Sequence, residues 1–352
     1  MVNALLAHFG QEPKLEVRLR DDIAVRFHLP GFNPELLKFY SEREPDWDGL
    51  REYYDAMARS QGKERAIYIN PGTELEWREA VLGLSKMEVK ADLIIYARAL
   101  RFDEDSKLRL DGYKLDSFTV QAQRKDVFTD YSIIQAVVFG FTIAGNELLL
   151  GGRGGSERAG EFVSVPAGAV PFPTGYSSWD SIKRAVYSES SEEAGITPEE
   201  TKYQLVGIFG QEPPAPIKSK NFVYVGKVSA SVQEILGRHE QAIAIYQELG
   251  GGQGDIEKEI KARKALEERA ADDPRFPMDA WENAQLSTIN NEPGAIMARL
   301  DSIQQSGKKI VHGLHGALAL YFLHQFGEKE YERLMSRDSF RELVDASDLL
   351  RI

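Results

Sequence analysis

The chain has 352 residues, long enough for two compact domains, and its 42% hydrophobic and 28% charged residues are an ordinary balance for a globular protein. It contains no cysteine, which excludes disulfides, thiolate metal sites and cysteine nucleophiles. A formal net charge of −12 argues against a nucleic-acid polymer as partner, because phosphate backbones are held largely by Lys and Arg, yet leaves a small anionic substrate open.

Residues 1–10 lack the basic start and the apolar core of a secretory signal. The longest apolar stretch, residues 133–144, is too short to cross a bilayer as a helix, so a cytoplasmic protein with no membrane partner is expected. Residues 1–126 read as an N-terminal α+β accessory domain without a recognisable motif. Alternation of apolar and polar residues over Leu15 to Leu29 predicts two strands around an Arg20-Asp21-Asp22 turn. Residues 34–61 read as helical, 66–70 and 92–97 as strands, and 74–85 as a helix between them.

Residues 127–330 form the second expected domain, followed by a helical tail over 331–352. Apolar runs at 132–143 and 147–153, separated by Ala144-Gly145-Asn146, predict a β-hairpin. A short strand over 160–166 leads to the most informative segment, residues 180–196. There Glu189, Glu192 and Glu193 stand at i, i+3 and i+4, which on a helix puts three carboxylates on one face. Like charges at that spacing repel, and a hard divalent cation is the natural way to hold them; such cations work between carboxylates and substrate phosphates. A solvated acidic helix face is the competing reading.

The segment resembles the Nudix box, Gly-x5-Glu-x7-Arg-Glu-U-x-Glu-Glu-x-Gly-U, where U is a bulky aliphatic residue. Glu189, Glu192, Glu193, Gly195 and Ile196 match in register, Asp180 falls at the earlier glutamate, and Gly168 in Val165-Pro-Ala-Gly-Ala-Val170 matches the opening glycine. A solvated acidic face would not call for these further matches. The chain departs from the pattern at Ser188, where the family has arginine, at Ser190, where it has an aliphatic residue, and in a Gly168-to-Asp180 spacing six residues longer than usual. Arg184 and Lys183 are candidates to replace the missing guanidinium.

Beyond the box, residues 203–209 and 221–228 read as strands around a proline-rich loop at 211–216. Residues 231–271 carry two charged helical runs about Gly250–Gly254, predicting a helical insertion whose stripe of Ile235, Ala242, Ile245 and Leu249 packs on its own domain or serves as a lid or dimer contact. Asn291-Glu-Pro-Gly294 opens a helix, with proline in its first turn. The region after Ile310 reads as helical.

The resemblance implies an α/β (α+β) fold of the Nudix type, an α/β/α sandwich with a mixed sheet. It also implies a metal-dependent hydrolase of nucleoside diphosphate-linked substrates. Glu189, Glu192 and Glu193 would be catalytic and bind Mg²⁺, with Mn²⁺ as a substitute; the Gly168 carbonyl and Glu282 would complete the metal's ligands, and Asn291 would touch the base. Arg153 and Arg158, around Gly151–Gly155, read equally well as phosphate binders or as neighbours of a flexible loop. The partner would be a small nucleotide diphosphate, with a homodimer open. The alternative is a catalytically impaired Nudix domain that binds nucleotides or protein. His312 and His315 read as core or capping residues before metal ligands, and Trp179 and Phe172 as packing before base stacking.

Overall fold

The computed structural model describes residues 6–11, 15–23, 94–102, 108–115, 134–153, 162–170, 178–211, 218–253, 256–306, 310–311, 313–337, 340 and 349–351. The expected elements over 34–61, 66–70 and 74–85, and the expected boundary at 126, lie outside these residues.

The centre of the fold is a parallel pair, β5 (Ile134–Ala144) and β10 (Lys218–Val228), in register from Ile134↔Lys218 to Ala144↔Val228. Both strands are buried on both faces. Phe139, Phe141, Val223 and Val225 point into one cluster, while Ala136, Val138, Phe222 and Tyr224 point into another. This explains why their sequences read as nearly unbroken apolar runs rather than as alternation. On the first face lies the helix Leu314–Phe326, buried from Leu314 through Leu323. On the second lies α1 (Ser178–Ala194), which presents Ile182, Ala185 and Val186. The result is a mixed α/β fold with helices on both faces of a mixed sheet, as expected from the sequence.

Among the described residues the main path of the sheet runs β12 (Leu349–Arg351), β1 (Leu6–His8), β9 (Thr201–Gln211), β10, β5, β3 (Ile94–Phe102), β4 (Leu108–Leu115) and β2 (Leu15–Ile23). Strand β9 is antiparallel to β10. Strand β1 pairs with β9 and with β12. Strands β3, β4 and β2 continue the other side, meeting β5 at Tyr96↔Gln135.

Two expectations are corrected. Arg20-Asp21-Asp22 is not a hairpin turn; β2 runs through it as one strand, and the pairing with β4 jumps from Arg20↔Tyr113 to Ile23↔Lys114. The extra residues are absorbed as an irregularity in the register. The tail is not helical at Leu349–Arg351, where β12 pairs in parallel with β1.

The predicted hairpin forms between β5 and β6 (Glu147–Arg153) and turns at Gly145. Strand β6 leaves the main path to pair with β7 (Phe162–Ser164) and β11 (Asn283–Asn290), while β8 (Ala167–Ala169) pairs with β5. The insertion is a helical hairpin of α2 (Val232–Glu248) and α3 (Ile256–Asp272). Ser231 caps α2 in a reciprocal box with Glu234, and the glycines at 250–252 end it. Its stripe packs on its own domain: Ile235 sits among Ala194, Ile196 and Leu286, and Ala242 among Phe276, Ala280 and Trp281. Helix α4 (Pro293–Gln305) starts on Pro293, as expected. Leu314–Phe326 is α5, and α6 spans Glu328–Met335.

Candidate active site

Four segments converge at one end of β6. Arg153 ends that strand, β8 supplies Ala167 and Gly168, α1 supplies Glu189 and Glu193, and a 3₁₀ turn (Ala280–Glu282) supplies Glu282. Antiparallel pairing of Arg153 with Asn283 fixes that turn beside the strand end.

Gly168 lies against the Glu189 carboxylate so closely that a Cβ there would overlap its oxygens. Glu193 is fully buried. Its Oε2 accepts from the Ala167 N–H at 3.2 Å and its Oε1 from Arg153 Nη1 at 3.4 Å. The same Nη1 donates to Glu282 Oε2 at 2.8 Å, and Nη2 donates to the Ala167 carbonyl at 3.3 Å. One guanidinium therefore ties β8, α1 and the 3₁₀ turn together.

The electrostatics follow from burial. Burial pushes the Glu193 carboxyl up to about 8; Arg153 and the Ala167 N–H oppose the rise, and Glu282 and Asp279 add to it. For Arg153 burial works against the charge, but Glu193, Glu282 and Glu189 outweigh it and hold the guanidinium above its ordinary value.

Ser188 and Ser190 each have a local partner. Ser188 donates its hydroxyl to Glu192 Oε1 at 2.6 Å. Ser190 is buried, and its hydroxyl lies 2.9 Å from that of Tyr203, which lies 2.6 Å from Thr142 Oγ1. Thr142 in turn donates to the Val165 carbonyl at 2.7 Å. This polar chain leaves its buried hydroxyls satisfied. Helix α1 ends at Gly195, which takes φ 64° and donates to Ser191 O at 2.9 Å.

Gly168, Glu189, Glu193, Glu282 and Arg153 are brought together. Glu192 shares the helix turn, but its carboxylate takes the Ser188 hydroxyl. The side chain of Asp180 and the whole of Arg158 and His312 lie outside the described residues. Asn291 sits at the far end of the β6–β11 pair, where Asn290 meets Glu147. At ~3.3 Å per residue that is roughly 20 Å from Arg153. There Asn291 accepts from the Tyr321 hydroxyl and donates to the Asn146 carbonyl at 2.8 Å. His315 is buried edge-on to Phe340, a packing role.

Sequence reasoning did not assign Arg153 its partners. The available signal was a lone cation closing an apolar strand, Leu148 to Gly152. Asn283, buried beside it with neither amide atom hydrogen-bonded, carried no signal.

By donor type the site suits a hard cation, since carboxylates and backbone carbonyls are its ligands. As arranged, Arg153 already balances Glu193 and Glu282, and among the described residues no three acidic or imidazole groups are placed to hold a metal ion. Among the described residues no helix is long and apolar enough to cross a membrane.

No protein-family model matches the chain, and no curated protein matches it. Among solved structures, a NUDIX hydrolase from Nitrosomonas europaea aligns at 19% identity over 29% of this chain and 64% of its own, with a TM-score of 0.23. A mutant of the Bacillus subtilis pyrophosphohydrolase aligns at 16% identity over 27% and 52%, with a TM-score of 0.20. The chain spans less than two thirds of either structure, and a likeness of that extent decides nothing about the site.

Proposed function

We propose that this chain is a Nudix-type pyrophosphohydrolase that adds water across the diphosphate of a nucleoside diphosphate linked to a second group. The observation that supports the reading is the convergence of Gly168 of β8, Glu189 and Glu193 of α1 and Glu282 of the 3₁₀ turn around the Arg153 guanidinium. Acidic side chains on an ordinary solvated helix face have no reason to be buried, abutted by a glycine or tied to β6.

In this reading a water oxygen attacks phosphorus, its proton passes to a carboxylate, and the anhydride P–O bond breaks to release a nucleoside monophosphate. A carboxylate of the cluster that the cation leaves free accepts that proton. Mg²⁺, or Mn²⁺ in its place, would be held by Glu189, Glu192, Glu193 and Glu282 with the Gly168 carbonyl, and would neutralise charge on the phosphoryl oxygens. Arg153 would have to release Glu193 and Glu282, which frees its fork for the substrate's phosphate. The reading includes a cytoplasmic location and a small nucleotide substrate, with a homodimer open and no polymer or membrane partner.

A second reading, a nucleotide-binding or protein-interaction module without turnover, is favoured by one observation: Arg153 already compensates two of the acids. The two separate in one experiment. The protein is titrated with Mg²⁺ and then Mn²⁺ against nucleotide sugars, ADP-ribose and dinucleotides, following monophosphate release by ³¹P NMR. Release that disappears in Glu189→Gln and Glu193→Gln supports the hydrolase. Nucleotide binding without release under either ion overturns it in favour of the module.

A further inference from the structure

We infer that the α2–α3 insertion is a fixed part of the acid site rather than a lid, and that Arg263 is the positioning residue through which it sets Glu282. The insertion is fastened at three places. Arg238 on α2 grips Glu200 through two hydrogen bonds, at 3.0 and 2.8 Å, and the Gly195 carbonyl at 2.7 Å, so α2 is locked to the end of α1. The segment after α3 returns to the same helix: Ser191 donates to the Pro274 carbonyl at 2.9 Å, and the Asp279 N–H donates to the Glu192 carbonyl at 2.8 Å.

The third fastening leads to the site. The Arg263 guanidinium lies 3.6 Å from the centre of the Trp281 ring, a cation–π contact made out of water. Its charge is balanced by Glu259, 2.6 Å from Nε. Glu259 also accepts from the Tyr246 hydroxyl at 2.5 Å and the Gly252 N–H at 2.8 Å. Tyr246 stacks on Trp281 with ring centres 6.5 Å apart. Trp281 is therefore clamped by both helices of the insertion, and the next residue is Glu282, which takes Arg153 at 2.8 Å. Buried charge of this kind holds its shape only while every partner is present, which suits a support and does not suit a lid that must open.

The inference depends on the hydrolase reading for its kinetic arm only. In Arg263→Met, kcat is expected to fall about 10- to 100-fold at nearly constant KM, the scale that a small misplacement of a reacting group costs. The Arg263→Met/Glu282→Gln double variant is expected to be no slower than Glu282→Gln alone, since both act through one carboxylate. Hydrogen exchange, which needs no turnover, is expected to accelerate at least tenfold at the 280–283 amides and to stay unchanged in β5 and β10. Should Arg263→Met not fold, Tyr246→Phe, which removes one hydrogen bond to Glu259 and keeps the ring, is read in the same way. Unaltered exchange at 280–283 in a folded variant, or losses that multiply in the double variant, overturns the assignment. A wild-type protein without turnover overturns the hydrolase reading and leaves the exchange measurement to decide this one.

Discussion

Gly168 and Glu189 are in contact across the gap between β8 and α1, with the glycine's missing side chain leaving the space that the carboxylate fills. The constraint is on room, so a methyl group is enough to violate it. In Gly168→Ala the Glu189 side chain must swing away while the half-buried backbone stays as it is. Turnover is expected to drop about 100-fold, with a change in Tm of only a few degrees. Equal losses of activity and of stability would instead mean that β8 itself had been displaced.

Glu193 makes stability depend on pH in a definite direction. Its carboxyl titrates at about 8 in the folded protein, against 4.5 for an unperturbed glutamate. The folded state therefore favours the protonated form. Its contribution is fully present below about 4.5 and is lost as pH rises through about 8. Unfolding free energy is expected to decline across that window by at most about 1.4 kcal/mol per pH unit from this group. Denaturation at several pH values checks this, and Glu193→Gln should remove the slope. A wild-type curve that is flat or rising from pH 5 to 8 would show that Glu193 is ionised throughout.

The legibility of the chain follows from where the signal resides. Strands β5, β6, β9 and β10 and both insertion helices were readable because local periodicity and turn residues specify them, and Pro293 marks the start of α4 for the same reason. Strands β1 and β12 have three residues each, and only their pairing with a distant edge makes them strands. The acids of α1 were visible through spacing along one helix. The Arg153 contacts were not, since they join residues 153, 193 and 282, and no local pattern encodes a meeting across 129 positions. Asn291 shows the converse: its motif context pointed to the site, while the antiparallel register of β6 and β11 carries it to the other end.

The hydroxyl chain Ser190–Tyr203–Thr142 gives the buried Ser190 its partner. Removing its middle member is expected to be worse than removing the end. Tyr203→Phe leaves Ser190 without the partner its hydroxyl has here, and costs about 1–3 kcal/mol. Ser190→Ala leaves the tyrosine still bonded to Thr142 and should cost about 1 kcal/mol or less. The Ser190→Ala/Tyr203→Phe pair should be clearly less damaging than the sum, which a double-mutant cycle by urea denaturation measures. Strict additivity would mean that the two hydroxyls are not coupled.

Arg153 is expected to be needed most at high pH. At pH 6 Glu193 is largely protonated, and the guanidinium mainly serves Glu282, which is partly exposed and can keep some hydration. Above about 8 Glu193 ionises in the wild type, and Arg153 is the cation beside it. Arg153→Met then forces either a buried lone charge or continued protonation against the solvent pH. Its destabilisation should therefore grow from about 1 kcal/mol at pH 6 towards about 3 kcal/mol at pH 9, the scale for breaking a buried pair. Arg153→Lys should recover only part of this, since one ammonium lacks the fork that reaches Glu282, Glu193 and the Ala167 carbonyl together. Adding Glu193→Gln should erase the pH dependence of the Arg153→Met penalty, because no ionisable partner then remains in the buried position. A penalty that is constant with pH would place the weight of Arg153 on Glu282 and Ala167 instead.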